Sequence, residues 1–210
     1  MGQKINPSTQ RVQIDGLPLP LAPDLAAYLV YKPVGTVSTT DDPQGRPTVV
    51  ELVPTTIRVY PAGRLDTDSE GLMVLTNDGD LTLRLTHPRF GIHKTYVVLV
   101  AGTVEPNMLR HLTDGVDLDD GPASAISARL LDQSDARALV EITMGEGRNR
   151  IVRRMLDAEG HPVERLVRTA IGPIRDGSLK AGEHRTLTIE EIRAVYAVGE
   201  ETPDDRPTNA

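Results

Sequence analysis

Apolar positions fall mostly in short runs, and the length and phase of each run predict its element. Thr95–Val100 reads TYVVLV, β-branched and aromatic, and predicts a strand. Gly71–Thr76 reads GLMVLT and is followed by the turn signal Asn77-Asp78-Gly79, which predicts a second strand. Ala27–Tyr31 predicts a third, stopped at Lys32-Pro33 because proline cannot donate to a sheet ladder. Ala125–Leu131 and Ala138–Thr143 read as a strand pair, and Val163–Ile171 as a further strand. Helical spacing appears in Asn149–Ala158, where Ile151, Val152, Met155 and Leu156 share a face and Gly160 follows as a stop. Leu81–Leu85, with Asp80 near its start, predicts a short helix. Pro106–Leu112 predicts another with proline in its first turn, and Ile189–Val198 a closing one with Glu190 and Glu191 at its positive end. Strands and isolated helices without regular alternation predict an α+β fold: a mixed, mostly antiparallel sheet with flanking helices.

The two ends differ from the body. Residues 1–23 are polar and hold Pro7, Pro18, Pro20 and Pro23, so a loose arm is expected, with a short strand at Arg11–Ile14. The ordered body is expected from 24 to 198. Residues 199–210 are acidic and are expected to fray.

Composition narrows the function classes. With 39% hydrophobic and 25% charged residues, the chain has the balance of a soluble globular protein. It contains no apolar run long enough for a membrane span, and without a continuous apolar stretch near the start no secretory leader is expected. The absence of cysteine excludes disulfides, thiolate catalysis and zinc–thiolate sites, and fits a reducing cytoplasm. The five histidines show no metal-binding spacing. Net charge is −7, yet Gly145–Arg175 carries seven arginines against four acids, so one basic face is expected within an acidic protein.

The densest chemistry lies in Gly63-Arg64-Leu65-Asp66-Thr67-Asp68-Ser69-Glu70-Gly71, which packs three carboxylates and one arginine into a glycine-bounded loop ahead of a strand. The residues alone leave three readings open. One is a calcium loop, because Asp66, Asp68, Glu70 and Gly71 imitate the opening of an EF-hand, although the twelfth position is Asn77. One is a solvated acidic turn. The third is a catalytic carboxylate kept ionised by a neighbouring guanidinium.

GRLDTDSEGLMVLTNDG resembles the central motif of the RsuA/RluB/RluE/RluF-type pseudouridine synthases, which act mostly on ribosomal RNA. Tyr31-Lys32-Pro33-Val34-Gly35 is similar to their first motif, and Lys94-Thr95-Tyr96 to their Lys-x-Tyr motif. Glu146–Met155 is similar to the third motif, continued by Arg165-Leu166-Val167-Arg168 and Ile171-Gly172. The resemblance runs from about Ala27 to Val198. It implies that Asp66 is the catalytic carboxylate, Tyr96 packs against the flipped uracil, and Arg153 pairs with Asp66. It also implies that Arg64 faces the RNA, Leu166 lines the base pocket, and Arg148 and Arg150 lie on the RNA-binding side. The implied reaction is an isomerisation that needs no metal or cofactor. The implied partner is RNA, with no membrane and with a monomer as the simplest assembly. A non-catalytic RNA-binding assembly factor is the alternative. Two departures stand out. Most relatives carry a small N-terminal RNA-binding domain, whereas only 1–23 precede the body here, and Arg11–Gly16 is similar to that domain's last strand. A naturally short form and a truncated product both remain open. Ile151 also stands where many relatives have Gln.

Overall fold

The computed structural model describes residues 25–199, and before them 12–14 and 17–19. Strands β1 (Val12–Ile14) and β2 (Leu17–Leu19) form a small antiparallel hairpin, one strand more than the sequence predicts. The rest of the expected arm and 200–210 of the expected tail lie outside the described residues.

Among the described residues, the main sheet has nine strands. In chain order they are β3 (Ala27–Lys32), β4 (Tyr60–Pro61), β5 (Glu70–Thr76) and β6 (Lys94–Ala101). A separate hairpin of β7 (Val116–Leu118) and β8 (Gly121–Ala123) follows. The sheet resumes with β9 (Ser127–Gln133), β10 (Arg137–Met144), β11 (Val163–Ile171), β12 (Ile174–Arg175) and β13 (His184–Thr186). Its order is β13-β3-β5-β11-β6-β10-β9, with β4 also on β5 and β12 on β11. All of its strand pairs are antiparallel except β5 with β11. Every residue of β5 is buried, which explains why its sequence is a continuous apolar run rather than an alternation.

Among the described residues, four α-helices flank the sheet. Helix α1 (Gly79–Thr86) is capped by Asp78, whose carboxylate accepts from the backbone N–H groups of Asp80 and Leu81. Helices α2 (Pro106–Asp114) and α3 (Ile151–Ala158) cover β6, β10 and β11 through Met108, Leu112, Val152, Met155 and Leu156. Helix α4 (Ile189–Ala197) starts with a capping box between Thr188 and Glu191, and with α1 it covers Leu29, Leu72 and Val74. A third cluster, from Val49 to Leu65, fills the opposite face of β3 and β5.

The parallel pair β5–β11 sits at the centre and brings the loop before β5 beside the middle of β11. Its close approach depends on Gly71, which faces Arg168. A Cβ there would lie 2.3 Å from the Arg168 carbonyl oxygen and 2.5 Å from its nitrogen, and φ is +113°.

Candidate active site

The acidic loop is held from below through its own backbone. Every carbonyl from Arg64 to Ser69 accepts a hydrogen bond. Arg168 donates to Arg64 at 3.4 Å, the Ser38 hydroxyl to Leu65 at 2.7 Å, and the Gly35 N–H to Thr67 at 2.8 Å. Arg153 donates to Asp68 at 2.9 Å and the buried Lys32 ammonium to Ser69 at 2.6 Å. The Asp66 carbonyl closes the turn by accepting from the Ser69 N–H. With its backbone satisfied, the loop presents its side chains in one fixed arrangement.

The three carboxylates separate into three environments. Glu70 is buried; it takes Arg165 at 2.6 Å and the Tyr31 hydroxyl at 3.1 Å, and Arg165 holds its carboxyl below the usual range. Asp68 takes a two-pronged contact from Arg150 at 3.1 and 2.9 Å, and Arg150, with Arg153 behind it, lowers its carboxyl in turn. Asp66 is about one-third exposed, and its one ion pair among the described residues is with Arg150 at 3.9 Å. Asp68 is the more exposed, but Asp66 is the carboxylate of the three least engaged by its neighbours and the one of the two aspartates that lines the cavity described below. The separate pairing of Asp68 and Glu70 does not form the shared ligand set that a calcium loop needs.

Arg153 does not reach Asp66. The resemblance implies that pairing, but the guanidinium meets Asp68 at 3.5 Å and donates to the Asp68 carbonyl and the Ser69 hydroxyl. The reason lies at the start of α3. Arg150 occupies the cap position with φ +50°, the one non-glycine residue in the left-handed region among those described. That turn throws the Arg150 side chain over the loop toward Asp66, while Arg153, one turn along the helix, lies beneath it and is buried.

A cavity of about 500 Å³ opens beside Asp66, within the range that holds a small ligand. Tyr96, Leu166, Lys94 and Arg168 line it from the sheet, and Arg64 and Arg150 from its loops. Asp66, Tyr96, Arg153, Arg64, Leu166, Arg148 and Arg150, the residues singled out from sequence, all border this one cavity. Arg64 is exposed and its side chain makes no ion pair among the described residues, which leaves it available to a polyanion.

Arg148 is placed differently from the expectation of an RNA contact. Its guanidinium is used by Glu146, by Asp120 at 2.8 Å, and by the carbonyls of Gly121 and Pro122. Arg154 is likewise taken by Asp119, Asp120 and the Asn149 carbonyl. The basic run is thus neutralised in part by the acidic stretch at the β7–β8 hairpin, which is distant in sequence.

Three cations that the sequence shows within motifs, without a site role assigned to them, lie under the loop and the cavity. Lys32 is fully buried under the loop, and burial lowers its ammonium to about 8. Lys94 is lowered to about 8 by the same cause, with nearby Arg168 adding to it. Arg168 is buried in β11. Its signal was present: strand alternation puts Arg168 in phase with Leu166 and Ala170, both inward-facing.

The model of one protein family, described as RNA pseudouridylate synthase, matches residues 26–158. An uncharacterized RNA pseudouridine synthase of Mycobacterium tuberculosis is 43% identical over 204 residues, covering 95% of this chain and 80% of that protein. Ribosomal large subunit pseudouridine synthase B of Bacillus subtilis is 37% identical over 205 residues, covering 95% and 82%. A crystal structure of a pseudouridylate synthase superposes with a TM-score of 0.72 at 35% identity, covering 81% of this chain and 74% of that one. These likenesses take in the β3–β5 core, the loop that carries Asp66 and the strands beneath the cavity, and on that ground the chain belongs to the RNA pseudouridylate synthase family, isomerases that act on RNA.

Proposed function

We propose that the protein converts a specific uridine of ribosomal RNA to pseudouridine, with Asp66 as the catalytic carboxylate. One observation carries the catalytic part: the loop carbonyls are all bound while the Asp66 side chain is left facing a cavity shared with Tyr96 and Leu166. The ribosomal part is supported by the Bacillus subtilis relative, which is named for the large ribosomal subunit. The expected form is a monomer acting in the cytoplasm, with residues 24–198 as one catalytic unit.

A uridine in structured RNA must leave its stack before its glycosidic bond is reachable, at a cost of a few kcal/mol. The exposed Arg64 at the rim is suited to hold the opened RNA through phosphate or base contacts. Tyr96 offers an aromatic face to the flipped base, and Leu166 an apolar wall. Arg150 keeps a positive charge 3.9 Å from Asp66 at the mouth of the cavity as the base enters and water leaves. The N1–C1′ bond breaks, the base turns, and C5 joins C1′. The C5 proton is lost and N1 gains one, so the product has the atoms of the substrate.

The test uses ribosomal RNA from cells lacking the gene, labelled with tritium at uridine C5. Wild-type protein is expected to release tritium, while Asp66→Asn and Asp66→Ala bind the RNA and release none. Turnover by either variant at the wild-type rate would overturn the assignment of Asp66.

A further inference from the structure

The floor of the cavity carries two cations that the steps above do not use. Lys94 and Tyr96 lie on β6 beside Leu166 and Arg168 on β11, with Arg168 opposite Tyr96 and Ile171 opposite Lys94. All five line the cavity. Arg168 spends Nε on the Leu72 carbonyl at 2.7 Å and Nη1 on the Arg64 carbonyl, and its buried Nη2 has no partner. Lys94 gives one of its three protons to the Ile92 carbonyl at 2.6 Å. Neither cation meets a carboxylate among the described residues, because Asp66 and Asp68 face Arg150, and Glu70 faces Arg165. Two partly or fully buried cations without a counter-ion, one with an orphaned donor, are costly unless a ligand completes them.

We propose that Lys94 and Arg168 hold the carbonyl oxygens of the extruded uracil and stabilise the negative charge it gains when its bond to ribose breaks. The inference rests on the pseudouridine-forming reading of this cavity. When the N1–C1′ bond breaks, its electron pair leaves with the base. The charge spreads over N1 and the two carbonyl oxygens, and the deficit at C1′ is met on the sugar side by Asp66. A fixed cation binds that anion more tightly than the neutral base, so the contact acts mainly in the transition state. The anion stays held while it turns, until C5 bonds to C1′, the C5 proton departs and N1 is reprotonated. A backbone phosphate is the competing occupant. It would be bound equally before and after bond breaking, so its loss would weaken binding and leave the chemical step unchanged.

The experiment measures single-turnover tritium release and RNA affinity separately. The probe is total RNA labelled at uridine C5, from cells lacking the gene, which contains every RNA class. Lys94→Met, Arg168→Gln and the charge-retaining Arg168→Lys are compared with wild type after melting curves confirm that each is folded. The expected result is a loss of about 100-fold in the single-turnover rate for the two neutral variants, with Kd unchanged and a smaller loss for Arg168→Lys. A second arm uses a short transcript around the modified position with 5-fluorouridine in place of uridine. Fluorine occupies C5, so no tritium can be released, and the single-turnover rate is read as the disappearance of 5-fluorouridine from nuclease digests separated by liquid chromatography. The fluorinated base is a better anion, so the deficit of the neutral variants is expected to shrink by about tenfold. A deficit of the same size on both substrates, a neutral variant at the wild-type rate, or a loss confined to Kd would overturn the proposal. Turnover on total RNA but not on its ribosomal fraction would retire the ribosomal target alone, and the variants would still be ranked on the RNA that reacts.

Discussion

Replacing Gly71 by alanine perturbs the point on which the site is built. The new Cβ meets three backbone atoms of Arg168, at 2.3, 2.5 and 2.9 Å, so no side-chain rotation relieves the clash. The backbone conformation at φ +113° adds a strain of about 1 kcal/mol for any L-residue. Parting β5 from β11 gives up one or two sheet hydrogen bonds, about 1 kcal/mol each. It also disturbs the Arg168 contacts to Leu72 and Arg64. Together these predict a loss of about 3–5 kcal/mol, a large fraction of the total stability of a domain this size. Gly45→Ala is the matched control: φ is +69° and nothing lies within 4 Å, so only the backbone cost of about 1 kcal/mol applies. Urea unfolding of both variants measures the difference. If Gly71→Ala and Gly45→Ala lose the same stability, the close approach of β5 and β11 does not hold the molecule as described.

Four other outcomes are expected. Arg153→Ala removes a buried donor to the Asp68 carbonyl and is expected to destabilise by about 3 kcal/mol in urea unfolding, whereas Arg150→Ala, losing only exposed ion pairs, costs about 1 kcal/mol or less and shows itself in turnover. Arg64→Ala is expected to weaken RNA binding and reduce its log–log salt slope by about 1, while Arg148→Ala leaves that slope unchanged and lowers the melting temperature; equal slopes for the two variants would contradict this division. The Lys32 ammonium, lowered to about 8, releases its proton in the folded state before the unfolded chain does. Stability from this group therefore rises with pH between about 8 and 10 and is independent of pH below, and Lys32→Met should flatten that rise in urea titrations.

Much of this architecture was legible in the chain. The runs GLMVLT and TYVVLV are β5 and β6, because short β-branched or fully apolar segments bury well only as strands. The Asp66 loop was legible through its likeness to a family motif, because its three carboxylates alone fit a calcium loop or a solvated turn as well as a catalytic site. Pairings decided by tertiary geometry were hidden. The left-handed turn at Arg150 is not a property that arginine advertises, so the exchange of roles between Arg150 and Arg153 was invisible. Arg148 reads as a phosphate ligand until the fold brings Asp120 to it across 28 positions. Strands β4, β12 and β13 are too short to show a period, and β13 at the sheet edge is polar. Lys94 and Arg168 look like surface residues by type, and only the phase of their strands turns them inward.

The central claim is that Asp66 drives pseudouridine formation in ribosomal RNA. Its most direct test maps pseudouridine by carbodiimide modification and primer extension in cells with and without the gene. The account predicts that a site in ribosomal RNA is lost on deletion, restored by the wild-type gene and not restored by Asp66→Ala. Restoration by Asp66→Ala, or ribosomal RNA whose pseudouridines are unchanged by deletion, would contradict it.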